Sequence, residues 1–231
     1  MVVLVSYRKL KYVPVIYDLS LMLICSFNVR GLSVRIKKNK VSEFIFTNGL
    51  NFVVVQESNL SEVYEFLVFS LWGSPHCDWS FILFVGSSRG FPSIWCSSKH
   101  KSFFSFPGPG FLGVCLELGV HKAVCYVVNV YFKCLVNDIE DMWFDLCSCK
   151  TECGGVIWCV MGDFKFANYP SKRLRGHNSS TSLGNIDCSA SNFISQMELV
   201  DLPLLGRKFT WFHPRGDTCN RLDKISVSNG L

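Results

Sequence analysis

Three polar residues in the sequence each follow closely on a short apolar run. Open α/β sheets bind ligands beyond the carboxyl ends of their strands, so oxygen ligands from separate strands could converge on one ion. Ligand sets made only of oxygen suit Mg²⁺ better than Zn²⁺. The residues are Asn28 after 21–27, Glu57 after 52–55, and Asp163 after 156–161.

The same residues allow a second interpretation. Asp and Asn are common wherever strands stop, because their side chains accept local hydrogen bonds from turn backbone. Spacing alone therefore leaves two alternatives open, a metal site and three ordinary turns.

Apolar periodicity supplies the elements that would position these residues. Short β-branched and apolar runs predict buried strands over 21–27, 52–55 and 156–161. Between the first two runs, 33–47 has helical periodicity and stops at Asn48-Gly49. The residues predicted to face inward from this helix are Ile36, Val41, Phe44 and Ile45.

The rest of the chain mixes sheet and helix. Between 79 and 130, short apolar segments separated by Gly, Pro and Ser predict antiparallel strands. A polar loop is predicted over 172–185, and strands over 208–212 and 221–227. The pattern as a whole predicts a layered α/β sandwich. Two further helices are predicted: 137–149, with Ile139, Met142, Trp143 and Leu146 inward, and one capped by Asp187 that carries Phe193, Ile194 and Met197.

Composition excludes several classes of protein. The chain has 231 residues, of which 49% are hydrophobic and 18% charged, with a formal net charge of +5. A sequence this apolar is neither disordered nor collagen-like, and its length can bury a core. The mild positive charge is compatible with a polyanionic partner but is too low for binding nucleic acid by charge alone.

No apolar stretch is long enough to predict a transmembrane helix, because Pro14 and Asp18 interrupt the best candidate. The 12 cysteines are scattered, many within apolar runs, which favours reduced thiols in a nuclear or cytoplasmic protein. We expect residues 1–20 to be an ill-defined leader and 21–231 to form one domain.

Five short motifs occur in an order and at separations that resemble the endonuclease/exonuclease/phosphatase superfamily. The resemblance covers about 21–231 and is strongest to the endonuclease domain of plant LINE-type (non-LTR) retrotransposons, which Trp72-Gly73-Ser74 and Phe209-Thr210-Trp211 also resemble. The motifs are Ser26-Phe27-Asn28-Val29-Arg30-Gly31-Leu32, Gln56-Glu57-Ser58, Asn129-Val130-Tyr131, Gly162-Asp163-Phe164 and Arg221-Leu222-Asp223.

This resemblance implies a four-layered, deoxyribonuclease I-like α/β sandwich that hydrolyses phosphodiesters with Mg²⁺, or with Mn²⁺ in its place, and nicks DNA. Asn28 and Glu57 match the positions that hold the metal, and Tyr131 matches the tyrosine that contacts the scissile phosphate. Asp163 matches the aspartate that activates water, and Asp223 the one that supports a catalytic histidine. A cation that offsets phosphate charge and a base that orients the nucleophile are what phosphoryl transfer needs.

The sequence departs from the family pattern at several places, among them Phe27 for the usual Trp and Lys133 and Cys134 for the usual Pro and Asn, and two departures bear directly on the chemistry. Lys165 stands where the family has the Asn of Gly-Asp-Phe-Asn, and an ammonium there could pair with Asp163 or compete with the metal. The family's terminal Ser-Asp-His motif belongs to a last core strand that should lie beyond Asp223, and no histidine occupies its place before Leu231. We therefore expect a carboxy-terminally truncated domain, with weak activity or none.

Basic residues near the motifs are candidates for contact with nucleic acid. The segment 35–40 could follow a DNA backbone, or its charges could simply solvate the polar face of a helix. Trp211 and Phe212 could stack on bases or pack in the core. The candidates carried over from the motifs and the polar loop are Arg30, Lys172, Arg173, Arg175 and Arg221.

A cluster of cysteines suggests a zinc site as an alternative to the Mg²⁺ site. Cys147, Cys149, Cys153 and Cys159 lie close in sequence, but their spacing is wrong for paired Cys-x-x-Cys knuckles and Cys159 falls inside an apolar run. We therefore favour structural thiols over a zinc site.

Three functions stay open at this point. The first is a Mg²⁺-dependent DNA endonuclease, and the second is a catalytically dead chain that binds nucleic acid without sequence specificity. The third is another phosphoesterase of the same superfamily, acting on lipid or sugar phosphates. No membrane and no obligate protein partner are expected.

Overall fold

The structure is a computed structural model, and it describes residues 15–18, 22–29, 31–32, 34–83, 90–118, 122–131, 136–153, 157–164, 173–174, 191–202, 211–212, 219–220 and 223–228. Within these ranges, three helices have eight or more residues: α1 (Arg35–Thr47), α2 (Glu65–Trp72) and α3 (Val136–Cys153). A short helix spans 191–196. The strands are β1 (Val15–Asp18), β2 (Leu23–Asn28), β3 (Phe52–Gln56), β4 (Cys77–Leu83), β5 (Gly90–Cys96), β6 (Lys101–Gly108), β7 (Phe111–Leu118), β8 (Ala123–Tyr131), β9 (Ile157–Asp163), β10 (Arg173–Leu174), β11 (Leu199–Asp201), β12 (Trp211–Phe212), β13 (Cys219–Asn220) and β14 (Asp223–Ser228).

The first sheet is built from the amino-terminal part of the chain. Its five strands lie in the order β1-β2-β3-β5-β4. The central pair, β2 and β3, is parallel and connected through α1, whereas the other neighbours are antiparallel. Asn28 and Gln56 are register partners at the carboxyl end of this parallel pair.

The second sheet uses the remainder of the chain and repeats this arrangement. Its six strands lie in the order β11-β14-β9-β8-β7-β6. Here β8 and β9 form the parallel pair, connected through α3, and Tyr131 pairs with Asp163 at its carboxyl end. The short strands β10, β13 and β12 form a separate three-stranded sheet.

The two large sheets pack face to face with helices outside them. The core between them includes Ile24 and Phe52 from the first sheet and Val127 and Met161 from the second. Residues of α1 and α2 pack on the outer face of the first sheet, and α3 with the short helix packs on the outer face of the second. These four layers confirm the predicted α/β sandwich.

The helix predictions hold at α3, whose residues Ile139, Met142, Trp143 and Leu146 are buried as expected. In α1, Val41, Phe44 and Ile45 are buried, but the prediction for Ile36 is wrong because its side chain is 65% exposed in the first turn. The helix at 191–196 buries Phe193, and Asp187, its predicted cap, lies outside the described residues.

Two elements differ from the sequence-based expectation. The sequence Glu-Phe-Leu-Val-Phe-Ser-Leu-Trp of α2 is apolar on nearly every side, so it lacks the periodicity that would have predicted a helix. Within the predicted leader 1–20, Val15–Asp18 forms β1 and pairs antiparallel with β2, so these residues belong to the first sheet. None of the described helices is long and apolar enough to cross a membrane.

Candidate active site

Four side chains meet at the carboxyl ends of the two parallel pairs. Asn28 ends β2 and Glu57 follows β3 in the first sheet, whereas Tyr131 ends β8 and Asp163 ends β9 in the second. The two sheets face each other, so the four strand ends form one rim. The structure thus brings together the sequence-predicted residues Asn28, Glu57, Tyr131 and Asp163.

Two hydrogen bonds cross between the sheets at this rim. The Asn28 Nδ2 group donates to Asp163 Oδ2 at 3.2 Å, and the Tyr131 hydroxyl donates to Glu57 Oε1 at 3.3 Å. Asp163 and Tyr131 are buried, whereas Asn28 and Glu57 are half-buried. Each bond therefore joins a half-buried residue of one sheet to a buried residue of the other.

A row of buried polar side chains lies directly beneath the rim. Ser26 Oγ donates to Gln56 Oε1 at 3.1 Å, and Gln56 Nε2 donates to Asn129 Oδ1 at 2.7 Å. Asn129 Nδ2 in turn donates to the Pro92 carbonyl at 3.4 Å. The sequence analysis assigned no role to Gln56 or Asn129, although both lie in the motifs that carry Glu57 and Tyr131. The signal that could have found them is a polar residue on the buried face of an otherwise apolar strand.

The backbone around Glu57 is held in an unusual conformation. Its φ is +51°, in the left-handed region, which costs a residue with a side chain roughly 1–2 kcal/mol. Hydrogen bonds from Gly31 N to Glu57 O (2.6 Å) and from Leu32 N to Ser58 O (2.7 Å) hold this turn against the loop that follows β2. The turn directs the Glu57 carboxylate toward Tyr131 instead of along the strand.

Gly162 lets β9 approach β8 closely just before Asp163. Its φ is +142°, and a Cβ atom added there would lie 2.1 Å from the Val130 carbonyl oxygen. A larger residue would push the two strands apart, and the pairing of Tyr131 with Asp163 would then be lost. The first position of the Gly-Asp-Phe motif is therefore a glycine because a side chain there would collide with the neighbouring strand.

The donor set at the rim fits a hard divalent cation. Asn28 Oδ1 is buried and has no hydrogen-bond partner among the described residues, because the other side of the amide is turned to Asp163. This oxygen and the Glu57 carboxylate are the ligand types that Mg²⁺ takes, usually one or two from protein with the rest from water and phosphate. No group of three His, Cys, Asp or Glu that could hold a metal occurs within the described ranges.

The basic helix α1 contacts the chain beside the rim. Lys37 Nζ donates to the carbonyl oxygen of Val29, the residue after Asn28, at 3.0 Å. This contact brings a positive charge to the residue directly after the candidate metal ligand Asn28. The prediction that 35–40 contacts phosphate stays untested.

Several predicted site residues cannot be placed by their side chains. The backbone of Asp223 pairs with that of Asp163 across β14 and β9, and Arg173 pairs with Asn220 in the small sheet. The side chains of these two lie outside the described parts of the molecule. Five further residues lie entirely outside the described parts of the molecule, backbone included: Arg30, Lys165, Lys172, Arg175 and Arg221.

Of the two histidines that the structure describes, the buried one, His100, lies away from the rim. Its backbone follows β5 and donates to Cys96 O, at the end of the sheet where Trp95 pairs with Phe52. That end is about 16 Å from Glu57 along β3, at about 3.3 Å per residue. His100 therefore does not stand in for a catalytic histidine.

The cysteine cluster does not converge on a metal. Cys159 is fully buried in the core between the sheets, whereas Cys147, Cys149 and Cys153 pack with α3 on the opposite face of the second sheet. All four are free thiols. The preference for structural thiols is in keeping with this arrangement.

Two facing mixed sheets, helices on both outer faces and a polar rim at the parallel strand ends define the deoxyribonuclease I-like fold of endonucleases, exonucleases and phosphatases. No protein-family profile and no curated protein matches the sequence. Solved structures of this fold do match. An AP endonuclease from Leishmania major, LMAP, is 16% identical with a TM-score of 0.66, over 98% of this chain and 88% of that one.

Two further structures extend the comparison to DNA-bound and retrotransposon proteins. A variant of the 3′ phosphatase NExo from Neisseria, bound to a product DNA hairpin, is 18% identical with a TM-score of 0.66, over 90% of this chain and 87% of that one. The endonuclease domain of TRAS1, a telomere-specific non-LTR retrotransposon, is 12% identical with a TM-score of 0.61, over 88% and 82%. At these identities the likeness establishes the fold.

Proposed function

We propose that the chain is a Mg²⁺-dependent phosphodiesterase of the endonuclease/exonuclease/phosphatase superfamily that cuts DNA, as LINE-type retrotransposon endonucleases do. The observation that carries the proposal is the meeting of Asn28, Glu57, Tyr131 and Asp163 from two sheets at one rim. The motif wording, which resembles the plant elements, supports the retrotransposon assignment. We propose further that the protein acts on DNA inside the cell, in the nucleus or the cytoplasm.

Each residue has a role that its contacts support. The Asn28 amide is oriented by Asp163 so that Oδ1 remains available for Mg²⁺ beside the Glu57 carboxylate. When bound, the cation offsets charge on the phosphate oxygens. Asp163 is held by the Asn28 amide in a position to accept a proton from the attacking water. The Tyr131 hydroxyl, which donates to Glu57 in the structure, would turn to a phosphate oxygen when substrate binds.

Contact with the DNA backbone would come from basic residues around the rim. We propose Arg30, Lys172, Arg173, Arg175 and Arg221 for this role, together with the net charge of +5. For Asp223, whose backbone pairs with that of Asp163, we propose the role that the family resemblance implies, the support of a catalytic histidine.

A second candidate function is a non-catalytic nucleic-acid-binding protein. The observation that favours it is Lys165, a cation two residues after Asp163 where the family pattern has asparagine. Its ammonium could pair with the Asp163 carboxylate and remove the base from the reaction while adding to DNA affinity.

Nicking of supercoiled plasmid by the purified chain, with Mg²⁺ or with EDTA, tests the proposal. Glu57→Gln removes one negative charge from the rim, and Glu62→Gln removes one from an exposed position on the following loop. We expect Mg²⁺-dependent nicking that is lost in Glu57→Gln and kept in Glu62→Gln. DNA binding without nicking by the folded chain would support the second candidate, and nicking that survives in Glu57→Gln would overturn the proposed site.

A further inference from the structure

We propose that Ser26, Gln56 and Asn129 act as positioning residues that set the alignment of the two sheets and so assemble the candidate active site. This inference rests on the proposed function, because it takes the rim to be the active site. The chain of hydrogen bonds runs through β2, β3, β8 and β5, and each of the three side chains donates to the next group along it. Ser26 is 3% exposed, and Gln56 and Asn129 are 0% exposed.

The location of these residues follows from strand periodicity. Side chains alternate between the two faces of a strand, so Ile24, Ser26 and Asn28 all point between the sheets. In β3 the same face carries Phe52, Val54 and Gln56. The space between the sheets therefore changes along its length from apolar packing, to the buried polar row, to the rim.

Apolar packing alone would leave the alignment of the sheets poorly defined. Hydrophobic burial has no direction, so it depends less strictly on the alignment of the two sheets than a hydrogen bond between them does. A buried amide without its hydrogen-bond partner leaves the full cost of its desolvation uncompensated. Gln56 and Asn129 therefore tolerate only the alignment of the sheets in which their hydrogen bond forms. Their bond is 2.7 Å long and crosses from the first sheet to the second.

The alignment that this bond selects is the one in which the rim contacts form. Gln56 immediately precedes Glu57 and pairs with Asn28 in register, and Asn129 lies two residues before Tyr131. A shift of about 1 Å at the buried row would carry Asn28 away from Asp163 and Tyr131 away from Glu57, and displacements of that size commonly cost about 100-fold in rate.

Variants can separate positioning from stability. Gln56→Met removes the donor to Asn129 Oδ1 and the acceptor of the Ser26 hydroxyl, and we expect the Tm to fall by about 2–10 °C. The triple variant Ser26→Ala/Gln56→Met/Asn129→Leu removes the whole polar row, and we expect its Tm to return to within a few degrees of the wild-type value. If the row positions the site, the triple variant nevertheless has a kcat lower by about 10- to 100-fold.

A swap variant and a control complete the design. Gln56→Asn/Asn129→Gln keeps the summed length of the two amides, and we expect it to recover part of the lost kcat with little change in KM. Ser228→Ala is the control for lost stability, because the Ser228 hydroxyl accepts from Trp158 N at the opposite end of β14. It should lower the Tm and leave kcat unchanged.

The Asn28 side-chain amide gives a readout that does not depend on catalysis. In ¹⁵N NMR spectra its protons should be protected from exchange by the bond to Asp163, and protection should fall in the triple variant and rise again in the swap. Unchanged protection in the triple variant overturns the positioning role, whether or not the protein cuts DNA. If the wild-type protein fails to nick DNA but protection still falls in the triple variant, the proposed function is overturned and the positioning role is supported.

Discussion

Asn28 and Asp163 lie 135 residues apart in the sequence and on different sheets, yet the amide of the first donates to the carboxylate of the second at 3.2 Å. This bond orients both residues at once. It leaves Asn28 Oδ1 buried without a partner among the described residues, which costs about 1–3 kcal/mol unless a ligand occupies the place. The rim is therefore built at the expense of stability, as functional sites often are.

This cost leads to a prediction for Asn28→Leu. The substitution removes the unpartnered oxygen but also the Nδ2 donor to the buried Asp163 carboxylate, so two opposing effects of about 1–3 kcal/mol should leave the free energy of unfolding of the metal-free protein within about 1 kcal/mol of the wild-type value. Nicking should fall by about 100-fold or more, because a candidate metal ligand is lost. Denaturant unfolding and plasmid nicking measure the two effects.

Asn51→Leu provides the comparison for that experiment. Asn51 is also buried, but its Oδ1 accepts from Lys99 Nζ at 3.0 Å, so its removal should destabilise the fold without impairing nicking. A loss of stability in Asn28→Leu as large as that in Asn51→Leu would mean that Asn28 serves the fold and not a ligand.

Gly162→Ala should be among the most destabilising single changes. The added methyl group would lie 2.1 Å from the Val130 carbonyl oxygen, which is backbone and cannot move aside without separating β8 from β9. We expect a loss of about 3 kcal/mol or more in the free energy of unfolding. Gly49→Ala is the matched control, since its φ is also positive but nothing lies within 4 Å; about 1 kcal/mol is expected there. Equal losses in the two variants would show that space at Gly162 is not limiting.

Stability should fall on the acid side through His100. Burial, and to a smaller extent the charge of Lys99, lower the pKa of this histidine below 6.5, although contact with the backbone of Glu117 opposes the shift. The unfolded chain therefore binds a proton at a higher pH than the folded protein does. Stability is full above the unfolded pKa and is lost as the pH falls from about 6.5 through the lower folded value.

Unfolding measured by denaturant at neutral pH and at a pH well below the unfolded pKa tests this expectation. His100→Phe should remove part of the difference in free energy between the two conditions, whatever its effect at neutral pH. The exposed His76, replaced in the same way, serves as the comparison. If His100→Phe and the wild type lose equal stability on acidification, His100 is not the sensor.

The core cysteines should resist modification in the folded protein. Burial raises the pKa of the Cys125 thiol to about 12, and it also raises the pKa of the Cys25 and Cys159 thiols well above 9. Thiolates are the reactive species, so iodoacetamide at about pH 8 should label these three only after denaturation. Peptide mass spectrometry of native and unfolded samples measures this, and the half-exposed Cys96 reports that the reagent is active. Rapid labelling of Cys125 in native protein would contradict the burial of that strand.

The meeting of Asn28, Glu57 and Asp163 at one edge of the fold could be predicted in outline from short local patterns, although spacing alone allowed three ordinary turns as well. Asn28, Glu57 and Asp163 follow apolar runs whose length and β-branching predict strands, and strand ends are where such folds bind ligands. The contact of Gln56 with Asn129 was not predictable, since it depends on how two sheets pack and joins residues 73 positions apart. The segment α2 lacked a readable period because tertiary packing, not amphipathicity, makes it helical.

The division of the large sheets along the chain has a consequence for biosynthesis. Strands of the first sheet all lie within 15–96 and those of the second within 101–228, so a ribosome delivers one sheet complete before the other begins. Until the later half docks, the emerging chain holds Asn28 and Glu57 but neither Tyr131 nor Asp163. The nascent chain consequently lacks half of its candidate catalytic groups until much of the second sheet has been made. The connection 97–100 is also a natural point at which to divide the protein into two fragments that would regain the site only by reassociating.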